Sequence, residues 1–265
     1  MFRINYELKK PRDIIPWGEE NKSLTWFGLT DGLLWINAGD SVIYEYADEA
    51  MEQFGFNIKY NDYQISRFLE DFSDTFRFIA EPVPKYLYDS VDTFLPQIDA
   101  WRSSFNHDAG EYYDEFYEKK YEPLTQWFYS RVLTSDHLIG GPVIGAFRYG
   151  DNVKLYWNSD YVTEDGKSLW TSPKGVYEMK YSEFTAEVTR FFKAFHADMD
   201  VQVADVVDMG IDDVFVDVHQ LYVENKFRKQ MFAQKLRHLD HRFTDWDKIK
   251  ELYDDMVKEM VTVSK

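Results

Sequence analysis

Carboxylates are the most abundant reactive groups in this chain, and one stretch gathers them on one side of a sign change. Asp198, Asp200, Asp205, Asp208, Asp212, Asp213, Asp217 and Glu224 follow one another with no Lys or Arg between them. Lys226, Arg228, Lys229, Lys235, Arg237 and Arg242 come next, opposed only by Asp240. A block of one sign creates a field that attracts a partner of the other sign. The acids could instead hold a hard cation. However, Asp208-Met209-Gly210-Ile211-Asp212-Asp213 lacks the alternating oxygens and trailing glutamate of a calcium loop. A water-facing helix accounts for it without an ion. His238 and His241 are spaced to share a helix face, as metal ligands often do, but Arg237 and Arg242 oppose a bound cation. No metal and no cofactor are expected.

Nucleophilic chemistry finds little support. There is no G-x-S-x-G elbow. His107, Asp108 and His137 fall on predicted loops, where functional residues concentrate but where most histidines are simply at the surface. Gly140-Gly141-Pro142 lacks the Lys-Ser/Thr of a phosphate loop and leads into a strand. With this many acids a general acid/base pair is always conceivable, and spacing alone picks none out. No catalytic residue is assigned. Tyrosine beside carboxylate suits a surface that meets a basic protein, since the ring supplies rigid contact area and the acid steers the approach. Tyr112, Tyr113, Asp114 and Glu115 form such a group, and Tyr44, Tyr46, Tyr117 and Tyr121 have similar neighbours. The alternative is that these rings are core.

Composition narrows the class. The 265 residues are 45% hydrophobic and 18% aromatic, enough for a sizeable core in one domain or two small ones. The formal charge of -17 opposes nucleic acid and anionic lipid and favours basic partners. There is no cysteine, hence no disulfide or thiolate site. No apolar run follows Lys9, Lys10 and Arg12, and none is long enough to span a bilayer, so a cytoplasmic location without membrane contact is expected.

Periodicity supplies the elements that must position these groups. Asp31-Gly32 between aromatic runs predicts a tight hairpin, with Thr30 facing Leu33 and Gly28 facing Trp35. Ala38-Gly39-Asp40 turns into a third strand, and Phe2 to Leu8 extends the meander. Asn61 and Gln64 have capping-box spacing ahead of the helical stripe Ile65, Phe68, Leu69, Phe72, Phe76 and Ile79, which Glu81-Pro82-Val83-Pro84 ends. Helices follow at about 85–104 and 112–133, kinked or split by Pro96 and Pro123, around an exposed loop at 102–111. Val143 to Tyr149 and Val153 to Asn158 flank Gly150-Asp151-Asn152 as a second hairpin, with short strands at Leu169-Trp170 and Val176 to Met179. Three helical stripes close the chain: Phe184 to Met199, Val218 to Leu239 and Ile249 to Met260, with Gly210 breaking the first from the second. Strands and helices segregate rather than alternate. The expectation is one α+β domain over 1–265, antiparallel meanders packed with helices and a helical C-terminal region, with a sub-boundary near 134–141 as the alternative.

The segment Trp26-Phe27-Gly28-Leu29-Thr30-Asp31-Gly32-Leu33-Leu34-Trp35 resembles the N-terminal signature of an uncharacterised bacterial family known only as a domain of unknown function. Trp17-Gly18, Glu81-Pro82-Val83-Pro84 and Arg148-Tyr149-Gly150-Asp151 are similar as well. These motifs imply fold and carry no catalytic residue. The stretch from Gly175 into Phe184-x3-Val188-x2-Phe191-Phe192 is similar to toxin-immunity proteins.

The function expected is that of a non-enzymatic, acidic, cytoplasmic binding protein, an immunity protein occluding a basic, co-encoded toxin. The acidic face would comprise Asp198, Asp205, Asp208, Asp212, Asp213 and Asp217, with Tyr112, Tyr113, Asp114 and Glu115 as a second contact region. A carboxylate-dependent hydrolase and a homodimeric regulatory module are the alternatives. The two charge blocks could also neutralise each other within the molecule, Asp205 or Asp208 lying near Arg228 or Lys229 in a helical hairpin.

Overall fold

β1 (Phe2–Leu8) runs antiparallel to β2 (Asp31–Ala38), from Phe2 opposite Ala38 to Leu8 opposite Gly32. β3 (Ser41–Ile43) and β4 (Asn61–Gln64) also pair with β2 and complete the first sheet. Strand alternation turns Leu34, Ile36 and Ala38 inward. On the outer face, Trp35 stacks on Tyr60 at 4.1 Å. The computed structural model describes residues 1–105, 112–133, 135–237 and 244–263.

The hairpin expected at Asp31-Gly32 does not form. Gly28–Thr30 is a 3-10 turn, and β2 begins directly at Asp31. Gly28 therefore does not face Trp35, and Thr30 bonds to the Phe27 carbonyl and the Ser66 hydroxyl instead of pairing with Leu33. Glycine is needed at 32 for close approach, because a Cβ there would lie 2.3 Å from the Glu7 carbonyl oxygen of β1. Asn61 and Gln64 likewise belong to β4 rather than to a capping box. α2 (Ile65–Ala80) starts without a side-chain cap.

The second sheet is the meander β5 (Val132–Leu133), β6 (Val143–Tyr149), β7 (Asn152–Asn158) and β8 (Lys174–Lys180). The expected β6–β7 hairpin is present: Tyr149 opposes Asn152, and Gly150 takes φ +56 in the turn. Leu169-Trp170 is not a strand of this sheet, and Trp170 makes a single bridge to Tyr46. Residues 135–141 and β6 pack under the same core as the first sheet. Leu133, Ile144, Ala146 and Leu155 join Ile4, Leu34 and Ile36 in one hydrophobic cluster.

Helices cover both sheets. α1 is Asp48–Phe54, and α2 buries its expected stripe from Ile65 to Ile79. The next helical region splits at Ser90 into α3 (Lys85–Asp89) and α4 (Val91–Ser103), and Pro96 is accommodated inside α4. A π-helical stretch, Tyr112–Tyr121, passes into α5 (Glu122–Tyr129) at Pro123. α3, α4, α5 and α8 (Trp246–Val263) build a second cluster against Phe147 and Tyr156 of the second sheet. Glu81 joins three elements: it accepts from Arg131 at 3.1 Å and from the Thr244 backbone and hydroxyl at 2.8 and 2.6 Å.

α6 (Tyr181–Met209) lays Phe184, Val188, Phe191, Phe195, Met199 and Val203 into the main core. It also seals the free edge of β1, an edge that would otherwise present unpaired backbone groups. The Ile4 N–H donates to Glu187 at 2.7 Å, and Arg190 donates to the Ile4 carbonyl. Gly210 ends α6, and α7 (Val218–Arg237) folds back beside it.

Candidate interaction surface

The sign change in the sequence maps onto the α6–α7 hairpin. Three cations of α7 are occupied. Arg228 pairs with Glu70 of α2 and with Glu224 one turn back, and its guanidinium lies 4.5 Å from the Trp26 ring. Lys229 meets Asp200 at 2.5 Å, and Lys235 pairs with Asp74 of α2. Asn225 is buried between these groups, accepting from the Trp26 indole and donating to Asp200, both at 2.9 Å. Burial pushes the Asp200 carboxyl up, but hydrogen bonds from Lys229 and Asn225 outweigh it and hold the group below its usual range. Internal neutralisation thus occurs, but with partners other than those expected. Arg228 and Lys229 use Glu70, Glu224 and Asp200, while Asp205 and Asp208 take no part.

The acidic half is left largely uncompensated. Asp208, Asp212 and Asp213 are exposed and Asp205 is half-buried, and none of the four is in an ion pair among the described residues. Asp217 caps α7, accepting from the Gln220 N–H at 2.9 Å. Asp198 accepts from the Tyr6 hydroxyl at 2.5 Å. The chain between the helices turns through Gly210 at φ +63 and Asp213 at φ +59, a conformation aspartate tolerates better than most residues.

A second segment completes this corner. The Phe215 N–H donates to the Lys22 carbonyl at 2.8 Å, and the Leu24 N–H donates to the Phe215 carbonyl at 3.1 Å. These bonds fasten residues 22–24 to Phe215, and Trp17 is paired with Ser23. Ile15 (86% exposed), Trp17 (55%) and Phe215 (70%) are large apolar side chains in water, and Glu19, Glu20, Asp212 and Asp213, their neighbours in sequence, are exposed as well. Large exposed apolar groups ringed by charge are the usual anatomy of a contact surface. Sequence reasoning missed Ile15, Trp17, Glu19, Glu20 and Phe215. The cue was present in Trp17-Gly18-Glu19-Glu20, an aromatic-acidic run with no hydrophobic period to bury it.

The other expected residues are placed differently. Tyr112, Tyr113 and Asp114 lie on the π-helical stretch, and their side chains fall outside the described residues. Glu115 is exposed and pairs with Lys119 at 2.5 Å. Tyr44 and Tyr121 are core residues, and Tyr46 stacks on Trp170. His107, Asp108, His238, His241 and Arg242 lie outside the described residues. His137 sits between Tyr63 and Phe68, and burial, helped by Arg67, lowers its pKa. Gly141 packs tightly, since a Cβ would meet the Ser135 carbonyl oxygen at 2.2 Å, and the Gly140 carbonyl accepts from Trp170. Among the described residues no three His, Asp or Glu side chains group as a metal site, and no helix is long and apolar enough to cross a membrane.

Residues 3–252 match the model of a family of unknown function, DUF5984, and the chain belongs to that family. The expected kinship with an uncharacterised domain family therefore holds. No curated protein and no solved structure matches the chain.

Proposed function

We propose that this member of a family without an assigned activity is a non-enzymatic, cytoplasmic, acidic binding protein that neutralises a co-encoded basic toxin by covering its active or binding surface. One observation carries the reading: Trp17 and Phe215 are exposed on segments that backbone bonds join, and exposed Asp208, Asp212 and Asp213 are in no ion pair among the described residues. Unpaired carboxylates accelerate the approach of a basic partner, and the aromatic groups then bury area on contact. Each chemical feature of the corner suits docking, and the reading requires no bond-making step. Co-expression with each gene that neighbours its own and is toxic when expressed alone tests it, and the absence of any toxic neighbour would count against it. The wild-type chain should protect the cell, while a chain carrying Asp208→Lys, Asp212→Lys and Asp213→Lys, folded by circular dichroism, should not. Failure of the wild type to protect, or full protection by the triple variant, would discard the reading.

A homodimeric module is a second reading, favoured by exposed Tyr222, Val223 and Phe227 on α7. Light scattering decides it. A dimer that Phe227→Glu returns to monomer would assign this face to self-association, and a wild-type monomer would remove the reading.

A further inference from the structure

α6 and α7 do not close completely along the half that the ion pairs hold together. Between them lies a groove of about 430 Å³, within the range of small-molecule sites. α6 contributes Phe192, Lys193 and His196 to its lining, and α7 contributes Lys229, Phe232 and Ala233. These positions follow helical spacing on both sides, so the two facing stripes run the length of the groove.

His196 is the unusual member. It is 5% exposed, and both ring nitrogens are shut off from water with no hydrogen-bond partner among the described residues. Its ring centroid lies 5.3 Å from that of Phe232 and 5.5 Å from that of Phe195. A buried polar group left unsatisfied is costly, and such groups often mark a missing ligand. Neutral imidazole offers one donor and one acceptor. Two cations stand at the same groove. Lys229 is already committed to Asp200, whereas Lys193 has no ion pair among the described residues, and no carboxylate lines the groove. Apolar walls, an unpartnered imidazole and an uncommitted ammonium together define a complementary ligand.

We propose that this groove binds a small apolar carboxylate, its hydrocarbon body against Phe192 and Phe232, its anionic head at Lys193 and within reach of His196. The site is separate from the acidic corner, and its test needs no protein partner, so the two proposals stand or fall independently.

Octanoate is the probe, titrated into the purified full chain by calorimetry and followed by NMR of the His196 ring. Ten heavy atoms imply a dissociation constant on the order of 1 mM. The His196 ring signals should shift on binding, and octanol, lacking the charge, should bind more weakly. Lys193→Gln should weaken octanoate about threefold to fivefold, the size of one exposed charge contact. Ala233→Phe, a change at an exposed position, should fill the groove and abolish binding. Three results would overturn the proposal: no shift of the His196 ring with octanoate, equal affinity for octanol, or unchanged binding to a folded Ala233→Phe chain.

Discussion

The two halves of the α6–α7 hairpin carry similar densities of charge and put it to different uses. In the basic half of α7, Arg228, Lys229 and Lys235 each meet a carboxylate of α2, α6 or α7, and Arg228 also covers Trp26. At the corner, Asp208, Asp212 and Asp213 pair with no cation among the described residues. The same chemical groups are structural where packing brings an opposite charge within reach, and available where it does not. A run of like charge in a sequence therefore becomes a surface only at the positions that tertiary contacts leave alone.

Charge reversal at the corner should have the largest effect. With a basic partner in hand, Asp208→Lys, Asp212→Lys and Asp213→Lys together should slow association about a hundredfold at low salt. Stopped-flow rates that stay unchanged would show the corner to be as inert as the paired half. The converse test lies in the paired half. Arg228→Ala leaves Glu70 and Glu224 without their cation and uncovers Trp26, so stability should fall by about 2 kcal/mol in denaturant titrations. A loss no larger than that of an exposed ion pair would erase the distinction between the halves.

His196, in the same half, sets a pH signature. Burial lowers its pKa to about 4, Lys229 adding to the effect and Asp200 opposing it. From pH 6.5 down to about 4 the unfolded chain takes a proton that the folded chain refuses. Stability should therefore fall with pH through that window and level off below it, by about 3 kcal/mol for this residue. Carboxylates titrate nearby, so the comparison is with His196→Phe, whose profile should be flatter by that amount. Parallel profiles would mean the imidazole is not held neutral.

The smallest effects come from the backbone of the corner. Asp217→Ala removes the cap of α7 and should cost about 1 kcal/mol. Asp213→Gly relieves the left-handed residue and should stabilise by about 0.5 kcal/mol while weakening partner binding. A destabilised Asp213→Gly chain would show that this carboxylate is a structural contact after all.

Much of the fold was legible because hydrophobic period is a local property. The stripes of α2, α6 and α8, the β6–β7 hairpin and the stop at Gly210 all follow from residues within one or two turns of each other. The errors share a different origin. Asp31-Gly32 carries the local signature of a hairpin, but the glycine is there because Glu7, far away in sequence, passes too close for a Cβ. Asn61 and Gln64 have the spacing of a cap but are drawn into pairing with β2. The acidic block was visible from composition, whereas the joining of the Trp17 segment to the Phe215 segment depends on two backbone hydrogen bonds between residues 22–24 and 215 and on the Trp17–Ser23 pairing.

From the chain alone come its acidity, its lack of thiol chemistry, its helical stripes and its α+β class, since each depends on residue type or on near neighbours. Tertiary structure decided which acids find a cation, which aromatic rings remain in water, and that His196 is enclosed without a partner. Those outcomes depend on distances between residues that are remote in sequence, and at close range a few ångströms separate an offset charge from a free one.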